Sequence, residues 1–319
     1  MKKLLSVVII GIIVLGGLGA VATGAYQPAK TTYTNNTLGT TYVDELDQSM
    51  TDYNGSLPLG RTNILGFYAN LSVAQSFIPQ KEVLTRTQFL MARNATTSRP
   101  CVLAIRDNLT NENLAVTSVE PSEFPVVNGT PTEEDQLAWI DFNFDDIWVT
   151  PGQTYYIVVY TTNITDNYYW ISDNGTNIYP NGSVFISFND GHNWSGEIFP
   201  DADGCFKTYG LRETFLEITM KKFSPFGVIS YTVKNIGNYT AWDVVIEYTV
   251  KGGILGLIDD HGYAIAGGLL PGDFVGFGRG IFFGLGKITI SLKISGANVK
   301  EVSIEKNAKI LFIFIMNIE

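Results

Sequence analysis

From residue 60 onward the chain is a succession of short runs in which apolar and polar residues alternate, each closed by Gly, Pro, Asn or Asp. Clear runs fall at 74–78, 84–91, 102–106, 114–119, 139–144, 155–161, 168–171, 184–188 and 205–209. A period of two is the pattern of a strand with one dry and one wet face. Spacings of roughly 10 to 20 residues leave no room for a crossover helix, so the strands must pair antiparallel and pack as a sandwich. Alternation places Tyr169 and Trp148 in its core.

A second set of runs follows at 215–222, 228–235, 242–251, 263–266, 273–283, 287–294 and 299–315, with Gly-containing turns between them. Seven short strands in about 105 residues suit an immunoglobulin-like sandwich. The closing apolar run 310–316 is far shorter than the ~20 residues of a membrane span and reads as a buried last strand. Upstream, residues 26–59 are rich in Thr, Asn, Asp and Tyr, the composition of a polar tether. The start, Met1-Lys2-Lys3 and then no charge from Leu4 to Ala25, with Ala20-Val21-Ala22 near its end, is that of a secretory signal long enough to be kept as an anchor helix. The expected organisation is a signal or membrane anchor at 1–25, a tether at 26–59, one sandwich at 60–212 and another at 213–319. The expected location is extracellular or at the cell surface, with membrane contact only through the N-terminal segment.

Within the first sandwich, Ala74-Gln75-Ser76-Phe77, Ala104-Ile105-Arg106-Asp107, residues 149–159, Tyr169-Trp170, Asn189-Asp190-Gly191-His192-Asn193-Trp194 and Phe206-Lys207-Thr208-Tyr209-Gly210 resemble a jelly-roll module of exported archaeal and bacterial proteins. The resemblance implies a galactose-binding-like β-sandwich used as an accessory, with no catalytic residues and no single ligand. Tyr231-Thr232-Val233-Lys234-Asn235-Ile236-Gly237, followed by Asp243-Val244-Val245-Ile246, resembles the V-x-N-x-G opening of cell-adhesion-type modules, where it is a turn device.

Asn-x-Ser/Thr occurs at Asn35, Asn54, Asn70, Asn94, Asn108, Asn128, Asn163, Asn174, Asn181, Asn193 and Asn238. Chance would supply about three, so the excess marks a glycoprotein, although Asn-Gly-Ser/Thr is also turn chemistry. Residues 60–212 carry 8 Lys/Arg against 17 Asp/Glu, and the formal charge of the chain is −10. Such a surface disfavours nucleic acid and anionic lipid, and permits calcium. Asp201 and Asp203 are the foremost structural-calcium candidates.

Catalytic signatures are absent: there is no Gly-x-Ser-x-Gly, His-Glu-x-x-His, Walker loop or Cys-x-x-Cys, and His192 and His261 sit in turn sequences. The acids Glu133-Glu134-Asp135, or Asp141 with Asp145-Asp146, could supply a glycosidase pair only at the right separation. The expectation is therefore a non-catalytic surface glycoprotein, a spacer or adhesion component that meets envelope components or glycans. Its alternative is carbohydrate binding by exposed loop rings, with Tyr168, Trp170, Trp194 and Asp190 as ligand residues; glycoside hydrolysis is a remote third. Cys101 and Cys205, the only cysteines, each open a strand, and an oxidising compartment would join them as a disulfide.

Overall fold

The computed structural model describes residues 42–64, 67–196, 201–221, 223, 225–279 and 282–319. The signal or anchor at 1–25, the first part of the tether and Asn35 lie outside these residues. Among the described residues the fold is all-β, helix occurs only as short 3-10 turns, and no helix is long and apolar enough to cross a membrane.

Thirteen strands build the first unit: β1 (Glu45–Met50), β2 (Gly55–Ile64), β3 (Phe67–Phe77), β4 (Val83–Asn94), β5 (Cys101–Arg106), β6 (Ala115–Val119), β7 (Val126–Val127), β8 (Ala138–Trp148), β9 (Tyr155–Thr161), β10 (Asn167–Asn174), β11 (Val184–Ser187), β12 (Asp203–Gly204) and β13 (Phe206–Leu211). In one layer β4 is central, with β8 on one side and β13 and then β1, or β10 and then β2, on the other. The second layer runs β11–β3–β9–β5–β6. The two layers are joined by β3, whose first half pairs with β2 and whose second half pairs with β9 and β11. Phe77, Phe89, Phe142, Tyr169 and Phe206 fill the space between them.

The second unit has a three-strand sheet, β14 (Leu216–Met220), β15 (Ile229–Asn235) and β18 (Phe274–Arg279). Facing it, β17 (Ile258–Ala266), β16 (Val244–Gly252), β19 (Gly284–Gly296), β20 (Val299–Phe312) and β21 (Phe314–Met316) form a sheet in that order. Val233 from one sheet and Ile246, Ile290 and Leu292 from the other belong to a single core. The link between units is bonded rather than slack: Asn298, 1% exposed, donates from its amide to Arg212 O at 2.7 Å and Thr240 O at 2.9 Å.

Four expectations are corrected here. Residues 45–50 and 55–64 are strands of the first layer, so the polar tether does not extend to residue 59; Met50 and Leu59 are buried in the core within a polar composition. Trp148 is 42% exposed, because it ends β8 beyond the core and sits beneath Lys300 instead. The closing run is not one buried strand: Phe312 turns the chain with φ 57°, leaving Leu311, Phe312 and Phe314 exposed. Cys101 and Cys205 are buried free thiols. Cys101 opens β5 in the second layer, whereas Cys205 is held in the first, with its N–H on Ser172 O at 3.0 Å and its carbonyl on Leu90 N at 3.2 Å.

Candidate ligand-binding face

The four expected ligand residues do not form one site. Along β10 the alternation turns Tyr169 and Ile171 inward and Tyr168 and Trp170 to the opposite face. Those two rings meet edge-on, with centroids 5.7 Å apart, and Trp170 is 8% exposed, so it offers no face for stacking. Asp190 and Trp194 belong to the loop after β11, separated from β10 by β3 and β2. Asp190 takes a left-handed turn, φ 66°, and accepts from the Asn70 amide at 2.5 Å, while the Trp194 indole nitrogen is buried.

Asp201 is exposed and Asp203 is buried. The Asp203 carboxylate already accepts from Tyr179 N at 2.7 Å and Gln75 Nε2 at 3.4 Å, which fixes the preceding loop against β3. Burial is what raises its pKa. Among the described residues no three His, Cys, Asp or Glu side chains cluster as metal ligands would. Asp141 and Asp145 lie four residues apart on β8. The β8 ladder shifts register between Asn143 and Ile147, and the Asp141 carboxylate is taken up by Arg86 and Gln88.

Of the acceptor asparagines, Asn54, Asn108, Asn128, Asn163, Asn181, Asn193 and Asn238 are exposed and Asn94 is half-buried. Asn70 and Asn174 are buried, with their amides donating to Asp190 and to Asp52 O at 3.0 Å; the folded chain does not present them for modification.

A different cluster does assemble, on the outer face of β8, β4 and β13. The register sets Asp141, Gln88 and Lys207 side by side in one row, and Asn143, Arg86 and Tyr209 in the next. Trp139 stands opposite Leu90, one step along the same face. Arg86 is clamped by Asp44, with Nε to Oδ2 at 2.8 Å and a second nitrogen to Oδ1 at 3.1 Å, and donates to Asp141 at 2.7 Å. Its guanidinium lies 3.5 Å from the Tyr209 ring centroid, and the Lys207 ammonium 3.8 Å from that of Trp139. Tyr209 donates its hydroxyl to Gln88 at 2.9 Å, and Gln88 donates to Asp141 at 2.9 Å.

A cation lies over one face of each of these two rings, which sit half-exposed among amide and carboxylate groups. The C–H face of a pyranose stacks on such a ring, and its hydroxyls need neighbours of this kind. A cavity of about 380 Å³ lies beside the face, where β6 runs along β8; Asn143 borders both. Composition hid these residues, yet one signal was readable. In 139–144 the outward set Trp139, Asp141, Asn143 alternates with the apolar Ile140, Phe142, Phe144.

No family model and no curated protein matches the sequence. Among solved structures the chain is similar to a β-glucuronidase of Bacteroides uniformis, at 11% identity over 76% of this chain and 26% of that one, with a TM-score of 0.22. It is also similar to a β-glucuronidase from glycoside hydrolase family 2, at 9% identity over 83% of this chain and 25% of that one, with a TM-score of 0.18. The chain thus spans about a quarter of the length of these neighbours. TM-scores of that size assign neither fold nor activity.

Proposed function

We propose that the chain is an exported, non-catalytic cell-surface protein whose first sandwich, of jelly-roll type, binds carbohydrate on the β8–β4–β13 face. The observation that carries the reading is the pair Trp139 and Tyr209, held by Lys207 and Arg86 on the outer strand face beside Gln88 and Asp141. No acceptor asparagine falls on residues 86–90, 139–143 or 207–209, so a glycan coat would leave this face clear. The second sandwich, immunoglobulin-like in this reading, acts as a spacer; the bonded link at Arg212 and Asn298 supports that role.

The test is a glycan array probed with the full chain, followed by titration of any ligand retained. Trp139→Ala and Tyr209→Ala should each weaken binding at least about tenfold, equivalent to ~1.4 kcal/mol, whereas Trp194→Ala should leave it unchanged. An array that retains nothing, or binding that survives both ring deletions, overturns the assignment.

A further inference from the structure

One end of the second sandwich carries its apolar side chains outward. The loop joining β16 to β17 exposes Leu255 to 90% and Leu257 to 81%, and beside it Phe283 is 69% exposed. These residues make one patch. Gly253 N donates to Lys287 O at 2.7 Å, and a Cβ on Gly286 would stand 3.2 Å from Ile254 N, so the loop rests on the start of β19. In the adjoining strands Leu285, Leu311 and Phe314 lie side by side in register, and the Phe283 and Phe312 rings are 6.0 Å apart. Leu255 and Phe312 both hold left-handed backbone, φ 58° and 57°, which bulky residues avoid. Neither belongs to the core, so the strain turns apolar groups toward solvent without improving the packing beneath.

Behind the tip, Lys287 and Lys309 face each other directly across β19 and β20, both exposed and with no carboxylate partner among the described residues. Nearby Lys251 has Asp259 at 3.9 Å, and Asp260 lies on β17 opposite Val250. Like charges set opposite one another are unfavourable in water. Two residues behind an apolar edge, about 7 Å, they stand where lysines reach the head groups of a bilayer that the edge has entered.

The chain itself supplies the bilayer. The described structure begins at Tyr42, whose hydroxyl bonds Asp146 and whose surroundings include Asp243. From Val244, next to Asp243, the nine residues of β16 run to the tip, about 30 Å away. Residues 26–41 can extend to about 55 Å, so a membrane holding the uncharged run Leu4 to Ala25 is within reach of the tip. We infer that the Leu255, Leu257, Phe283 and Phe312 end of the second sandwich inserts into the outer surface of the bilayer that holds the N-terminal segment. This would lay the molecule on the membrane at two points. The inference rests on the export reading of residues 1–25.

The experiment uses the full chain in phosphatidylcholine vesicles, with the fluorophore NBD attached at Leu255→Cys or, as a control at the opposite end of β20, at Glu301→Cys. Cys101 and Cys205 are buried and stay unlabelled in the folded chain. At position 255 the emission should shift to the blue and fall at least about twofold with doxyl-labelled lipid, while at 301 it should respond only to aqueous quencher. If the protein floats with vesicles yet the probe at 255 is reached by aqueous dithionite as fast as at 301, the tip proposal fails and the N-terminal anchor stands. A probe at 255 that is already shielded without lipid shows a second copy or residues 4–25 covering the tip, which also overturns it. Failure to float at all overturns both the anchor and this inference.

Discussion

Replacing Asn235 tests whether the V-x-N-x-G segment is held together by one side chain. Asn235 is fully buried at the end of β15. Its amide donates to Tyr239 O and Leu269 O, both at 2.8 Å, and its carbonyl accepts from Gly237 N at 2.9 Å and Thr214 Oγ1 at 3.1 Å. Three separate stretches of backbone are thereby tied to one strand end. Gly237 is required there because a Cβ would stand 2.2 Å from Thr214 Oγ1 and 2.7 Å from Phe215 N. Asn235→Ala removes all four bonds, but Tyr239 O keeps Thr214 and Leu269 O keeps Ala241 N, so the chief orphan is the Gly237 N–H. At about 0.5 to 1 kcal/mol for each of the four lost bonds, with about 1 kcal/mol added for the orphan, the second sandwich should lose about 3 to 5 kcal/mol. For a unit of this size that lowers Tm by roughly 12 to 25 °C in calorimetry. Asn235→Asp keeps the shape and both accepted bonds but turns carboxylate oxygen toward two carbonyls. Its folded pKa should rise, so its stability should be near that of the parent below about pH 4 and lost as pH rises. If both variants lower Tm by less than about 4 °C, or the Asp variant shows no pH dependence of its own, the account of this side chain is wrong.

Two further outcomes follow from buried groups. Thiol titration of the unreduced chain should find two free thiols after denaturation and none before it, because burial pushes the Cys205 thiol up to about 11 and Cys101 higher still; a denatured chain with no free thiol restores the disulfide. Burial, opposed by the Tyr42 hydroxyl bond and assisted by Asp243, Asp44 and Asp145, pushes the Asp146 carboxyl up to about 6, and burial does the same for Asp173. The folded chain then holds these protons more tightly than the unfolded one, so their contribution is present below about pH 4 and lost as pH rises through 6. Tm measured from pH 4 to 7 should fall less steeply in Asp146→Asn than in the parent, and equal slopes would refute the assignment.

The all-β class and, apart from the short parallel pair of β4 with β7, antiparallel pairing were legible in the sequence, because alternation at period two is set residue by residue. The inward turn of Tyr169 was readable for the same reason. The turn at Asn235 and Gly237 was expected only from the resemblance to cell-adhesion-type modules, and the Gly237 N–H bond to Asn235 Oδ1 forms it. Strand β1 escaped, since four of its six residues are polar and its partner β13 lies more than 100 residues away; β2 pairs with β3 directly after it, but its Gly55, Pro58 and Gly60 read as loop. The ring cluster escaped for a related reason. Alternation says that Trp139 and Asp141 share a face, and that Lys207 and Tyr209 share one, but not that β4 will sit between them. That choice is made by inter-strand register, which depends on how Phe89, Phe142 and Phe206 pack across the core. It also put Cys101 and Cys205 in opposite layers and left the apolar closing run folded back at Phe312, because a strand's own residues fix its two faces while only the assembled sheets decide what each face meets.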